Sequence, residues 1–277
     1  MKKGARRSID KRAERSVPGR EIRDRQADDR PDRHSVVYGL LPVLESLRSG
    51  SRRIERLVVA EGAREHRLAE ILELARASGI RIDRMGRENL DRFVEPGANH
   101  QGVIAFASAA SYAAADEILD AVGDDALIVV LDGVEDPRNF GAILRSAECA
   151  GVDGVFIPSR RAVGLTETVA KSSAGAAEYI KVAKVGNINN LIEDLKSRNI
   201  WVVGASGDAD MEYIDWDWKR PTALVMGAEG SGLHRLVAEN CDALVKIPMY
   251  GKISSLNVSV AAGVILFEAR RQRSKGE

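Results

Sequence analysis

The sequence predicts an α/β protein organised on a parallel sheet, preceded by a smaller α/β module and a charged tail. Three observations carry this. From residue 125 onward, apolar runs at 127–131, 154–157, 179–182, 201–204, 223–226 and 244–247 alternate with helical patterns at 140–150, 166–176, 188–198, 233–239 and 255–271. The runs are apolar throughout rather than at every second position, the pattern of parallel strands covered on both faces. Residues 34–107 repeat the strand-helix alternation on a shorter scale, and residues 1–33 contain almost no apolar side chains.

Taken in order, the tail comes first. Its basic residues exceed its acidic ones by five, and a segment with so little apolar surface cannot fold alone. It reads as a disordered basic arm suited to adding non-specific phosphate affinity. Order is expected from His34. Val36 and Val37 suggest a short strand, and Leu40, Leu41, Val43, Leu44 and Leu47 a helix closed by Gly50. Residues 57–60 read as a strand, Leu68, Ile71, Leu72, Leu74 and Ala75 as a helix closed by Gly79, and residues 81–83 and 101–107 as further strands. His100 and Gln101, polar groups beside Gly102 at a strand start, organise a turn or meet a ligand. Residues 108–124 are rich in small and acidic residues and read as a linker with a short helix near 115–122.

In the larger part, ligand binding is expected outside the carboxyl ends of the strands. Three stretches begin at such ends. The first is Leu131-Asp132-Gly133-Val134-Glu135-Asp136-Pro137-Arg138-Asn139-Phe140-Gly141-Ala142-Ile143-Leu144-Arg145-Ser146-Ala147. Here Asn139 is the expected N-cap of a helix with Ile143, Leu144, Ala147 and Ala150 on its buried face and Arg145 off it. The second is Gly227-Ala228-Glu229-Gly230-Ser231-Gly232-Leu233, whose glycines allow a tight loop but do not follow a dinucleotide fingerprint and come with no Walker lysine. The third runs from Ile247-Pro248-Met249 to Ser254-Ser255-Leu256-Asn257, with Ser254 or Ser255 as the expected cap of a helix apolar almost all round. Such a helix is buried within the domain, against a second subunit, or both.

Taken together and in this order, the three stretches resemble the signature motifs of the SpoU/TrmH family of SPOUT methyltransferases, which transfer a methyl group from S-adenosylmethionine to a ribose 2′-hydroxyl in RNA. The resemblance extends to the first half of the chain. Val37-Tyr38-Gly39-Leu40 and Asn99-His100-Gln101-Gly102-Val103 are similar to an L30e-like substrate-binding domain found in part of that family. It implies domains at 34–107 and 125–277, a trefoil knot in the second, and a homodimer formed through the knotted region. General topological rules argue against a knot; only the resemblance implies one.

The resemblance also assigns residues. Asn139 and Arg145 of the first motif, Glu229 of the second, and Ser255 and Asn257 of the third correspond to catalytic positions; Gly227, Ile247, Met249 and Leu256 correspond to cofactor contacts. The chemistry requires alignment of oxygen, methyl and sulfur with help for the departing proton. A guanidinium with a pKa above about 12 is a poor base, so Arg145 is expected to be catalytic without its exact role being fixed. Ser254 stands where the family often has Glu or Val.

Other features narrow the class. Lys+Arg and Asp+Glu balance at 41 each, so net charge announces no polyanion partner. Cys149 and Cys241 lack metal spacing and are expected in the core of a cytoplasmic protein without signal peptide or membrane span, and the four histidines do not cluster, so no metal is expected. Within the family resemblance, the L30e-like N-terminal module implies the branch that methylates a guanosine in 23S rRNA. The alternatives are a tRNA ribose methyltransferase, whose relatives carry a basic C-terminal extension, and a catalytically silent RNA-binding assembly protein. A nucleotide-binding oxidoreductase is disfavoured by the missing fingerprint.

Overall fold

A computed structural model describes residues 35–160 and 162–274; the basic arm read at 1–33 lies outside them. The chain begins with β1 (Ser35–Tyr38), α1 (Leu40–Ser49), β2 (Ile54–Ala60), α2 (Glu65–Ala77), β3 (Arg81–Met85), the short α3 (Arg87–Leu90) with a 3-10 turn at Asp91–Phe93, and β4 (Val103–Ala107). These four strands form one sheet in the order β1-β4-β2-β3, with β4 antiparallel to both neighbours and β2 parallel to β3. Alternate residues divide between its faces: Val37, Leu57, Val59 and Val103 pack with Leu68, Ile71 and Leu72 of α2, whereas Val36, Val58 and Ile104 pack with Leu90.

The rest of the chain supplies α4 (Ala115–Leu119), β5 (Leu127–Asp132), α5 (Pro137–Cys149), β6 (Gly154–Pro158), α6 (Glu167–Ser172), a 3-10 turn at Ala176–Glu178, β7 (Val182–Val185), α7 (Ile188–Ser197), β8 (Trp201–Ala205), β9 (Met211–Glu212), β10 (Thr222–Gly227), α8 (Arg235–Asn240), β11 (Ala243–Lys246) and α9 (Val258–Ser274). Seven strands join in the order β7-β6-β5-β10-β8-β11-β9, and every pair is parallel. The continuous apolar runs have the expected cause. Leu127, Val129 and Leu131 face Phe140, Ile143 and Leu144 of α5 and Ile265 and Leu266 of α9. Ile128 and Val130 face Ile118 of α4 and Leu191, Ile192 and Leu195 of α7. Chain order differs from sheet order: β10 lies between β5 and β8, which brings the ends of β5 and β10 side by side. That adjacency assembles the site.

Helix ends differ from the sequence reading where side chains compete for the cap. Asp136, not Asn139, caps α5: its Oδ1 accepts from the amides of Arg138 and Asn139, and Pro137 takes the first turn. The last helix starts at Val258 because Asn257 Oδ1 accepts from the Ser259 amide at 2.9 Å, leaving Ser254 and Ser255 in the preceding loop. Cys241 is largely buried, which pushes its thiol up to about 12; Cys149, expected in the core, is exposed at the end of α5. No helix among the described residues is long and apolar enough to cross a membrane.

The two sheets are joined by specific contacts. The Arg52 guanidinium meets both Glu178 carboxylate oxygens, at 3.0 and 2.9 Å, with the two side chains 5% and 2% exposed. Ser51 Oγ also donates to Glu178, and Arg52 donates to Ser35 Oγ. Tyr179 donates to Glu45 at 2.6 Å; burial and this bond push its hydroxyl up to about 12, so it stays a donor. Val36 N donates to Glu167 on α6.

Candidate active site

At the end of β10 the chain must turn within a few residues. Ala228 and Gly232 exchange two backbone hydrogen bonds of 3.0 Å, leaving Glu229-Gly230-Ser231 as the loop. Gly230 and Gly232 take positive φ, and a Cβ on Gly227 would stand 2.2 Å from the Gly232 carbonyl carbon. The glycines therefore let the backbone fold onto itself and push Glu229 outward, the only charge on the loop.

Glu229 meets the two other motifs. Its Oε1 accepts from Asn139 Nδ2 at 2.7 Å and from Asn257 Nδ2 at 2.8 Å, and Asn257 Nδ2 also approaches Asn139 Oδ1 at 3.0 Å. Because Asp136 holds the α5 cap, the Asn139 side chain is free to turn toward Glu229. Because Asn257 caps α9 through its Oδ1, its amide group points the other way, into the same contact. Three residues separated by up to 118 positions form one polar cluster at the carboxyl edge of the sheet, and Glu229 within it is exposed.

A cavity of about 610 Å³ opens beside the cluster, lined by Asn139 and Glu229 together with Asp132, Glu135, Arg160 and His234. Buried Asp132 accepts from the His234 amide at 2.8 Å and from His234 Nδ1 at 2.9 Å, tying β5 to the start of α8. Asp132 and Glu135 belong to the first motif, yet their contribution to the wall depends on which loop faces them. Arg160, between Ser159 and Arg161 in sequence, and His234, at the N-cap position of α8, lie outside the three motifs and carry no local signal of their own.

The other expected residues are placed as follows. Gly227 is buried under the turn just described. Ile247 is half-buried against the core, and Met249 and Leu256 are 36% and 41% exposed on the loop before α9, with Ile253 75% exposed beside them. This loop offers apolar surface unsatisfied by the chain itself. Ser255 is exposed on it without a hydrogen-bond partner among the described residues. Arg145 is exposed on α5 and joins neither the polar cluster nor any ion pair among the described residues. It lies one turn beyond Gly141, the position where α5 touches Ser172 of α6, so both are on one stripe of the helix. His100 is fully buried: its Nδ1 accepts from Gly102 N and its Nε2 meets Asp91 Oδ1 at 3.1 Å, which makes it the organiser of its turn, while Gln101 is exposed. No group of His, Cys, Asp and Glu among the described residues is arranged to hold a metal ion.

Comparison with known proteins agrees with this arrangement. The SpoU rRNA Methylase family matches residues 126–267, and the RNA 2′-O ribose methyltransferase substrate binding family matches residues 36–113. The putative TrmH family tRNA/rRNA methyltransferase YacO of Bacillus subtilis is 43% identical over 87% of this chain and 97% of its own. The 23S rRNA (guanosine-2′-O-)-methyltransferase RlmB of Ralstonia nicotianae is 44% identical over 86% of this chain and 96% of its own. The structure of the SpoU methyltransferase AviRb from Streptomyces viridochromogenes, in complex with the cofactor AdoMet, superposes with a TM-score of 0.73 at 28% identity, covering 87% of this chain and 91% of that one. With the glycine turn, the Asn139–Glu229–Asn257 cluster and both family matches in agreement, the chain belongs to the SpoU rRNA methylase family.

Proposed function

We propose that the protein transfers the methyl group of S-adenosylmethionine to the ribose 2′-hydroxyl of a guanosine in 23S rRNA. The observation that carries this is the convergence of Asn139 from the first turn of α5 and Asn257 from the cap of α9 on the Glu229 carboxylate, within the family to which the chain belongs. The relatives named for guanosine 2′-O-methylation of 23S rRNA match both halves of the chain, which favours rRNA over tRNA.

The residues present fit S-adenosylmethionine. The ligand combines a flat apolar base with a sulfonium cation. Exposed Met249 and Leu256 with Ile247 supply apolar surface for the base, Gly227 lets the Gly232 backbone close the turn that presents Glu229, and Glu229 supplies the nearby negative charge. When bound, the cofactor supplies an activated methyl group. The chain's task is to position the hydroxyl and assist its proton. Glu229, held by two amide donors on one oxygen, orients the ribose or receives the proton; Asn139 and Asn257 fix that carboxylate. Ser255 stands two residues from Asn257 on the same loop, and Arg145 supplies a cation for the RNA near the first motif.

The same reading includes a trefoil knot in the C-terminal segment, an L30e-like fold for residues 34–107, a domain at 125–277, and a homodimer. Support for the dimer lies on α9. Val260, Val264 and Phe267 form a stripe at helical spacing, and Val260 and Phe267 remain 51% and 50% exposed. A dimer buries them: sedimentation should give twice the 30.1 kDa chain mass, and Phe267→Asp should shift it to the monomer. A monomeric wild type at micromolar concentration would contradict this.

The function is tested by offering labelled S-adenosylmethionine with 23S rRNA or tRNA transcripts. Incorporation into 23S rRNA is expected. Incorporation into tRNA alone would keep the chemistry and reject the substrate.

A further inference from the structure

Where the two sheets meet, one lysine has no counter-charge among the described residues. Lys171, on α6, is half-buried, and burial pulls its ammonium below the usual lysine range; no carboxylate contributes. Its Nζ donates to Gln101 Oε1 at 2.9 Å and lies 5.6 Å from the centre of the Tyr38 ring. Glu167, one turn earlier on α6, accepts from Val36 N instead of pairing with it. A cation placed this way without an anion is an unfavourable arrangement unless something else supplies the charge.

Its surroundings are built to hold it there. Gly39 has φ near 95°, and a Cβ at that position would stand 2.2 Å from Lys171 Nζ and 2.9 Å from Gln101 Oε1. Gln101 is itself a non-glycine residue at positive φ, braced by its amide hydrogen bond to Asn99 Oδ1. Its Oε1 is engaged by Leu40 N and by Lys171, so its exposed Nε2 has no acceptor among the described residues. The spare N–H groups of Lys171 and Gln101 therefore form a patch of donors only. The next residue, Ser172, donates to the carbonyl of Pro137 at the start of α5, the helix that carries Asn139 and Arg145.

We propose that Lys171 and Gln101 bind a backbone phosphate of the RNA substrate at the seam between the two sheets, positioning the strand that enters the site. This rests on the RNA-methyltransferase reading above. A phosphodiester matches a donor-only patch in charge and in hydrogen bonding, and it supplies the anion that Lys171 lacks among the described residues. Contacts of this kind position RNA without reading its bases.

The test compares wild type with Lys171→Gln and Gln101→Glu. Affinity for a 23S rRNA transcript is measured over a salt series, alongside KM and kcat for methyl transfer, S-adenosylmethionine affinity and thermal stability. Both variants should raise the RNA KM about five- to tenfold, with kcat at saturating RNA and cofactor affinity within about twofold. The slope of log affinity against log salt should fall by about 0.7–0.9, one phosphate contact. Gln101→Glu separates this from a purely structural role, because it places a carboxylate on Lys171 and preserves the seam while blocking the phosphate. Unchanged slope and KM in both variants, or loss of stability without a change in slope, would overturn the proposal. A wild type that methylates no RNA would instead overturn the functional reading, and the two failures are distinguishable.

Discussion

Replacing Glu229 by Gln is expected to lower kcat at least about 100-fold, within the range for a group that assists proton transfer or stabilises developing charge. The substitution keeps the size of the side chain but removes its charge. It also presents a donor to two amides, Asn139 Nδ2 and Asn257 Nδ2, that both now donate to Glu229 Oε1. Glu229 is exposed, so the melting temperature should stay within a degree or two of wild type. A variant with near-normal kcat would show that the cluster organises loops and takes no part in the reaction.

The second large effect is on stability. Glu178→Ala leaves the Arg52 guanidinium buried against Ser35 Oγ without its carboxylate. Removing one partner of a buried pair costs about 3–5 kcal/mol, to be read as a lower denaturant midpoint. Replacing both residues, as in Arg52→Met with Glu178→Leu, should recover most of that loss, because the penalty comes from the orphaned charge. If the single and double variants are equally destabilised, the cost lies in packing and the ion pair is not its source. Because Arg52 and Glu178 join the first sheet to the second, the single variant should also weaken RNA binding through the seam.

Most strands proved legible because the chemistry that defines them is local, but the run expected at 179–182 is displaced: the strand there is β7 at Val182–Val185, following the 3-10 turn at Ala176–Glu178. Residues 127–131 and 223–226 are buried on both faces, so every position is apolar and the run stands out. Helix ends were less legible, since they depend on competition between neighbours. Asn139 and Asp136 are both good caps, and only the structure shows that Asp136 takes the amides and releases Asn139 for Glu229. Short elements with little burial, such as β9 and α3, left no readable period. Among site residues, Glu229 and Asn257 were marked by their motifs and are in contact. His234 and Arg160 became wall residues only through the crossover order that sets β6, β5 and β10 together. The Arg52–Glu178 pair spans 126 positions and has no sequence pattern at all.

The central claim is that this site methylates a ribose oxygen. It is tested most directly by identifying the product. 23S rRNA would be incubated with the protein and labelled S-adenosylmethionine, digested to nucleosides and separated, with Arg145→Ala as the parallel reaction. Label in 2′-O-methylguanosine, lost with Arg145→Ala, is the predicted result. Label on a nucleobase, or no label in any RNA although the cofactor binds, would contradict it.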